Sequence, residues 1–360
     1  MSSLDLHDDV VAVTGALVDI PSESHHEQQI ADAVQQALIA LPGLRVQRVD
    51  NVIVAATDLG HAERVLLAGH LDTVPSAGNL PHRIADGWMW GLGSVDMKGG
   101  VAVLLRMALL ASQSPGELTR DISCVVYDCE EVSAEFNGLE RLVQTHPQLL
   151  VCDVAILLEP TDGVVEAGCQ GTLRAVVEVP GVRAHSARSW LGTNAIHAAT
   201  DVLDRLRGYQ ARQPVVNGLQ YREGLSAVAI SGGIAGNVIP DACAVTINYR
   251  FAPDRSPQEA VDHVREVFAG YSVTIEDVAS GARPGADTPL VKEFITASRL
   301  PARAKLGWTD VARFSALGIP ALNFGPGNPG LAHAADERVE IEQIRQCELV
   351  LQTWLTRQAK

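Results

Sequence analysis

The sequence predicts an α/β protein: a mostly parallel sheet covered by helices, interrupted by an inserted ferredoxin-like βαββαβ unit. Three observations predict it. Short apolar runs without alternation, at 65–68, 122–127 and 154–158, are separated by helical patterns, as in a sheet buried on both faces. Near Gly168 the order changes to strand, helix, strand, strand, helix, strand. After Gly281-Ala282-Arg283-Pro284-Gly285 the first pattern resumes. The α/β part is therefore discontinuous, 1–170 with 284–360, and 171–283 is the insertion.

The elements follow in order. A helix over 10–17 ends at Asp19-Ile20-Pro21, and a second over 27–40 stops at Leu41-Pro42-Gly43. Strands are predicted at 45–49, 52–56 and 65–68. A helix begins after Lys98 and runs through 101–111, followed by strand 122–127, helix 138–144 and strand 154–158. The insertion reads as strand 173–179, helix 195–206, strands 226–230 and 243–251, helix 257–268 and strand 272–278. Its second helix has a well-formed start: Ser256 as cap, Pro257 at the first position and Glu259 completing a capping box. Helices at 289–298 and 310–317, a strand at 321–324 and a helix at 341–356 close the chain.

Hydrophobic residues make up 47% of the 360 and aromatics 4%, so Ala, Val, Leu and Ile must build the core. The formal charge of −15 opposes binding to nucleic acid or an acidic membrane, and no Lys/Arg cluster offsets it. The opening residues are acidic where a secretory signal would be basic, and no apolar run reaches the roughly 18 residues of a membrane span. The six cysteines form no C-x-x-C pair and read as free thiols of a reducing, cytoplasmic compartment. Cys129 is the best candidate for a nucleophile, but the adjoining Glu130 raises a thiol pKa and weakens it.

Chemistry-bearing residues stand where apolar runs stop. His70 follows 65–69, with Asp72 placed to accept its imidazole N–H. Asp96 sits in a glycine-rich turn leading into a helix. Glu130-Glu131 follow 122–127, and Glu159-Pro160 follow 154–158; His333 stands alone near the C-terminus. In an α/β sheet such stops converge on one crevice. Carboxylates gathered there need a cation to stay ionised, and two imidazoles with several carboxylates suit zinc. One of two adjacent glutamates can ligate while the other takes a proton from water. The chain therefore reads as a metal-dependent hydrolase. A formal G-x-G-x-x-G at Gly325–Gly330 carries two prolines, which oppose the tight turn into a helix that dinucleotide binding needs.

Five segments together resemble the zinc-dependent aminoacylase and carboxypeptidase superfamily with two co-catalytic metals. They are His70-Leu71-Asp72-Thr73-Val74-Pro75, Asp96-Met97-Lys98-Gly99-Gly100, Glu130-Glu131, Glu159-Pro160 and His333. The resemblance covers nearly the whole chain. It implies two Zn2+ per subunit, with Co2+ as a substitute. Asp96 would bridge them, His70 and Glu159 would complete one site, and Glu131 and His333 the other. Glu130 would be the general base and Asp72 would orient His70. It also implies a homodimer formed through the insertion, with His185 reaching the partner's active site to stabilise the oxyanion. Asn237 and Arg250 match substrate-contacting positions. Many relatives carry a proline shortly after this histidine, whereas Ser186-Ala187-Arg188-Ser189-Trp190 follows here. The implied substrate is a small N-acyl amino acid. The segments 127–131 and 158–171 are most similar to the succinyl-diaminopimelate desuccinylase branch, whose substrate carries several carboxylates. Arg250, Arg188 and Arg174 are available to pair with them. Spacing alone does not select succinyl over acetyl, which leaves N-acetylornithine deacetylase, aminoacylase and dipeptidase activities open.

Overall fold

The computed structural model describes residues 4–356. Its packing divides the chain into two compact units. One comprises the residues up to Ala167, Gly285–Arg303 and those from Arg313 onward; the other comprises Gly168–Pro284 and Ala304–Ala312.

The first unit is built on an eight-stranded sheet. Its order is Arg45–Val49, Val52–Ala56, Asp121–Tyr127, Arg64–His70, Val154–Leu157, Ala321–Asn323, Val165–Ala167 and Ala302–Ala304. The central strands pair in parallel: Arg64–His70 with both Asp121–Tyr127 and Val154–Leu157, and the latter with Ala321–Asn323. Antiparallel pairings flank them, at the hairpin Arg45–Val49/Val52–Ala56 and at Val165–Ala167. Asp121–Tyr127 is buried along its whole length, which explains why apolar residues occupy both of its faces. Helices Val10–Val18, Lys98–Gln113 and Ile341–Leu355 contribute Val13, Leu17, Leu104, Leu105, Ile344 and Leu351 to the same core.

A second, three-stranded sheet, Arg338–Glu340, Trp88–Trp90 and Arg83–Ala85, is absent from the sequence reading. Its hairpin turns through Asp86 and Gly87, both at positive φ (52° and 81°). Two consecutive residues in that region define the turn that best matches strand twist, and Asp-Gly is a favoured pair for it.

The second unit carries a four-stranded antiparallel sheet of order Gly224–Gly232, Ala242–Phe251, Gly171–Pro180, Ser272–Ala279. Helices Ala195–Arg207 and Pro257–Val267 complete the βαββαβ order. Ala199, Val202, Ala260 and Val264 pack with Leu173, Ala175, Val177, Val245 and Ile247 as one core. Ser256 caps the second helix and forms the full capping box with Glu259. The two ends of the insertion are tied together, since Cys169 and Ala282 exchange N–H···O bonds of 3.0 Å in both directions.

Candidate active site

Because Arg64–His70 lies between and parallel to Asp121–Tyr127 and Val154–Leu157, the C-terminal ends of these strands emerge side by side. His70 closes the first strand, Glu130-Glu131 follow the second, and Glu159 follows the third. Asp96 arrives from the turn before helix Lys98–Gln113. Gly93 in that turn has φ of 77°, and a Cβ on it would meet Thr73 Cγ2 at 2.8 Å. A Cβ on Gly100 would sit 2.0 Å from the Leu158 carbonyl oxygen. The first turn of the helix therefore packs directly on the strand end that carries Glu159.

His70 is buried. Its Nδ1 lies 3.0 Å from the backbone carbonyl of Asp72 and 3.5 Å from Asp72 Oδ1, so the carbonyl is the nearer acceptor. Its Nε2 faces Asp96 Oδ1 at 3.1 Å. The Asp72 carboxylate accepts the N–H of Glu130 (2.9 Å), the N–H of Glu131 (3.0 Å) and the Ser24 hydroxyl (2.8 Å). His333, at φ of 61°, places Nε2 2.7 Å from Glu131 Oε1 and 3.5 Å from Asp96 Oδ2.

The donor atoms form two groups that share one residue: His70, Asp96 and Glu159, and Asp96, Glu131 and His333. Within each group one atom per residue lies within 4.8 Å of the others. His70, Glu130 and Glu131 form a further group of the same kind.

The electrostatics suit cations. Burial disfavours charge on His70, but Asp72 and Asp96 outweigh it and hold its pKa well above the usual value. Burial likewise opposes the Asp96 carboxylate, yet His333 and His70 keep its pKa below the usual range. Hydrogen bonds to Asp96 and Glu131 push His333 up to about 10 against the effect of burial. The carboxylates that raise the proton affinity of these imidazoles would equally attract a divalent cation to the same donor atoms. Two imidazoles and three carboxylates, with Asp96 common to both groups, suit a pair of divalent cations.

Four further residues shape the site without having been singled out in the sequence. Glu337 accepts the N–H groups of Gly93 (3.0 Å), Val95 (2.8 Å) and Asp96 (3.2 Å) and so fixes the Asp96 turn. Burial raises its pKa to about 7 against the pull of those N–H groups. Lys98 Nζ donates to the Ile20 carbonyl at 2.8 Å, and burial lowers its pKa to about 7. Glu27 accepts from the N–H and the thiol of Cys129, each at 3.2 Å. Ser24 completes the set through Asp72. Cys129 itself is buried, and burial together with Glu27 pushes its thiol up to about 12, which disables it as a nucleophile. The proline-bearing glycine segment leads only into the short 3-10 turn Pro329–Leu331, capped by Asn328.

The remaining candidates belong to the second unit. His185 and Val238 pair in a two-residue ladder, and Ser186 N–H donates to the Asn237 carbonyl at 2.9 Å, which brings the His185 and Asn237 segments together. His185 Nδ1 accepts the Ala187 N–H at 3.0 Å. Arg188 lies in the exposed 3-10 segment Ser186–Leu191. Arg250, half-buried on Ala242–Phe251, donates Nε to Asn248 Oδ1 at 3.1 Å and has no carboxylate partner among the described residues. Arg174 is instead paired with Glu276 at 3.1 Å.

Residues 66–357 match the model of peptidase family M20/M25/M40. The chain belongs to this family. Over 98% of its length this M20/M25/M40 member is 54% identical to 99% of a Mycobacterium tuberculosis protein named "Putative succinyl-diaminopimelate desuccinylase DapE". It is 48% identical to the succinyl-diaminopimelate desuccinylase of Corynebacterium glutamicum, over 98% of each chain. Among solved structures, a tripeptidase from Staphylococcus aureus superposes with a TM-score of 0.80 at 20% identity over 98% of each chain. The Bacillus subtilis YXEP protein, described as a dinuclear metal binding peptidase from the M20 family, superposes with a TM-score of 0.70 at 16% identity over 97% of each. The branch singled out from segments 127–131 and 158–171 is the one these two sequence relatives are named for.

Proposed function

We propose that this chain is a metal-dependent amide hydrolase that cleaves N-succinyl-L,L-2,6-diaminopimelate to succinate and L,L-diaminopimelate, serving lysine and cell-wall precursor synthesis. The observation that carries this reading is the pair of donor groups joined at Asp96, with Glu130 beside them. The choice of acyl group follows the names of the two sequence relatives.

Asp96 is assigned as the shared ligand, with His70 and Glu159 on one cation and Glu131 and His333 on the other. Zinc is the proposed metal, and Co2+ can substitute for it. When bound, the cations supply Lewis-acid polarisation of the amide carbonyl and acidify water. Glu130 takes the proton from the attacking water and later delivers it to the leaving amine. Asp72 steadies Glu130 by accepting its N–H. His185 is suited to oxyanion stabilisation: because Nδ1 accepts from Ala187, the ring proton resides on Nε2, which is left to donate.

The assembly proposed is a homodimer through the second unit, with His185 serving the partner's centre. Strand Gly224–Gly232 supports this reading. It is an edge strand with Val228 and Ile230 more than half exposed, the kind of edge that proteins normally cover or pair. Arg250, Asn237 and Arg188 are assigned to the substrate carboxylates, and the absence of an acidic partner on Arg250 among the described residues favours it as receptor. Six unpaired cysteines support a cytoplasmic setting, and no helix among the described residues is long and apolar enough to cross a membrane.

Chelation tests the reading directly. Removal of divalent metal should abolish release of succinate and free amine from the succinyl substrate, and Zn2+ should restore it. Activity that survives complete metal removal would sink the proposal.

A further inference from the structure

A second cluster of donors lies next to Glu130 in the chain. Glu27, Asp128 and Cys129 are 1%, 5% and 4% exposed, and each brings a ligand atom within 4.8 Å of the others. None of the three belongs to the Asp96 centre. Cys129 is held at φ of 56°, directly before the glutamate pair.

The charges within the cluster are unequal. Asp128 has a counter-ion, because Arg141 Nη2 donates to its two oxygens at 2.8 and 3.0 Å. Glu27 has none among the described residues. Its Oε1 accepts the His25 N–H (2.9 Å), the Cys129 N–H (3.2 Å) and the Cys129 thiol (3.2 Å). Its Oε2 is buried and has no hydrogen-bond partner among the described residues. A carboxylate oxygen taken out of water and left unpaired is unfavourable until it gains a proton or a cation. An imidazole also stands near: His25, an exposed residue, places Nδ1 3.6 Å from the Cys129 sulfur and packs its ring edge-on against Phe136.

We propose that Glu27, Asp128 and Cys129, with His25 as a further donor, form a cation site separate from the Asp96 centre, and that it takes a soft or borderline divalent ion such as Zn2+ or Cd2+. The donor types set the class of ion. One sulfur, one imidazole and carboxylate oxygens favour zinc-like ions over Mg2+ or Ca2+, which prefer an all-oxygen shell. As the ion binds, the thiol proton now shared with Glu27 Oε1 leaves to solvent. The S–H bond is exchanged for a sulfur–metal bond, with no change of oxidation state. The Glu27 carboxylate gains a positive neighbour, which offsets the burial of its oxygens. Because Glu27 Oε1 also holds the Cys129 N–H, an ion on this carboxylate acts on the backbone that leads into Glu130.

The test is a Cd2+ titration of the metal-stripped full chain, read by ultraviolet thiolate-to-cadmium charge transfer. The Asp96 centre contains no cysteine and is silent in this absorption, so failure here is distinguishable from failure of the di-metal reading. The expected result is a saturable charge-transfer band that disappears in Cys129→Ser and persists in His70→Ala. Glu27→Gln keeps an acceptor oxygen for the Cys129 N–H but removes the charge, and should weaken Cd2+ at this band by at least about tenfold while the circular dichroism spectrum is unchanged. The second variant decides the matter if Cys129→Ser does not fold. Absence of the band in the wild type, its survival in folded Cys129→Ser, or unaltered affinity in Glu27→Gln would each overturn the proposal.

Discussion

Asp72 Oδ1 accepts the backbone N–H of Glu130 at 2.9 Å, and Asp72 Oδ2 takes that of Glu131. A carboxylate beside one end of the proposed metal centre thereby fixes the backbone of the proposed base. Asp72→Ala leaves both N–H groups without their acceptor, and a buried donor left unsatisfied costs about 1–3 kcal/mol. Urea denaturation of the metal-free protein should register a loss of that order, with kcat reduced. Asp72→Asn retains one acceptor oxygen and should lose less on both measures. Equal stability of wild type and Asp72→Ala would show that these hydrogen bonds do not hold the glutamates.

Glu130 is expected to move protons rather than bind metal. Glu130→Gln should keep its zinc while kcat falls by about 10²–10⁴-fold, the range for general acid–base catalysis. Elemental analysis beside steady-state kinetics makes the check. Zinc lost in parallel with activity would show that the roles of Glu130 and Glu131 are shared or reversed.

Legibility of the centre depended on how each residue is held. His70, Asp96, Glu131, Glu159 and His333 carry recognisable types, mostly at the ends of apolar runs, so the sequence brought out Asp96 and the four residues whose donor atoms group with it. Glu337 and Glu27 left no such trace. Each acts by accepting backbone N–H groups far away in sequence, from Gly93 to Asp96 and from Cys129 respectively. Backbone donors carry no side-chain signature, and Glu337 between Asp336 and Arg338 looks like an ordinary charged surface residue. The longer helices and strands were readable from periodicity, most clearly Lys98–Gln113 and Asp121–Tyr127. The three-residue strands Arg83–Ala85, Trp88–Trp90 and Arg338–Glu340 are too short to show a period. The Asp86-Gly87 pair was nevertheless a usable hairpin signal for the first two.

Acid should weaken the fold through Asp121. Burial disfavours its charge, but the Leu59 N–H, the Thr57 hydroxyl, the His61 N–H and Arg64 outweigh it and hold its pKa below the usual range. A depressed carboxylate stabilises the folded state fully above the unfolded pKa of about 3.9, and that contribution fades as pH falls through the lower folded value. The stability gap between wild type and Asp121→Asn should therefore be widest near neutrality and close below about pH 4. Denaturant titrations at several pH values make the comparison. A gap independent of pH would mean that the ionised form has no special role.

The proposed exchange of His185 between subunits has a mixing test. His185→Ala and Glu130→Gln protomers should each be inactive. A heterodimer places both lesions in one centre and leaves the other intact, so activity should return on mixing once subunit exchange is verified. No recovery would indicate that His185 serves its own chain.

Assignment of N-succinyl-L,L-diaminopimelate as the substrate is tested by kcat/KM for that compound beside N-acetylornithine and a simple dipeptide under identical zinc conditions. The expected result is a clear preference for the succinyl substrate, reduced in Arg250→Ala by the equivalent of about 2–5 kcal/mol for a desolvated charge pair left without its partner. A kcat/KM for either competitor equal to or above that of the succinyl compound would contradict the assignment and leave a metal-dependent amide hydrolase of different specificity.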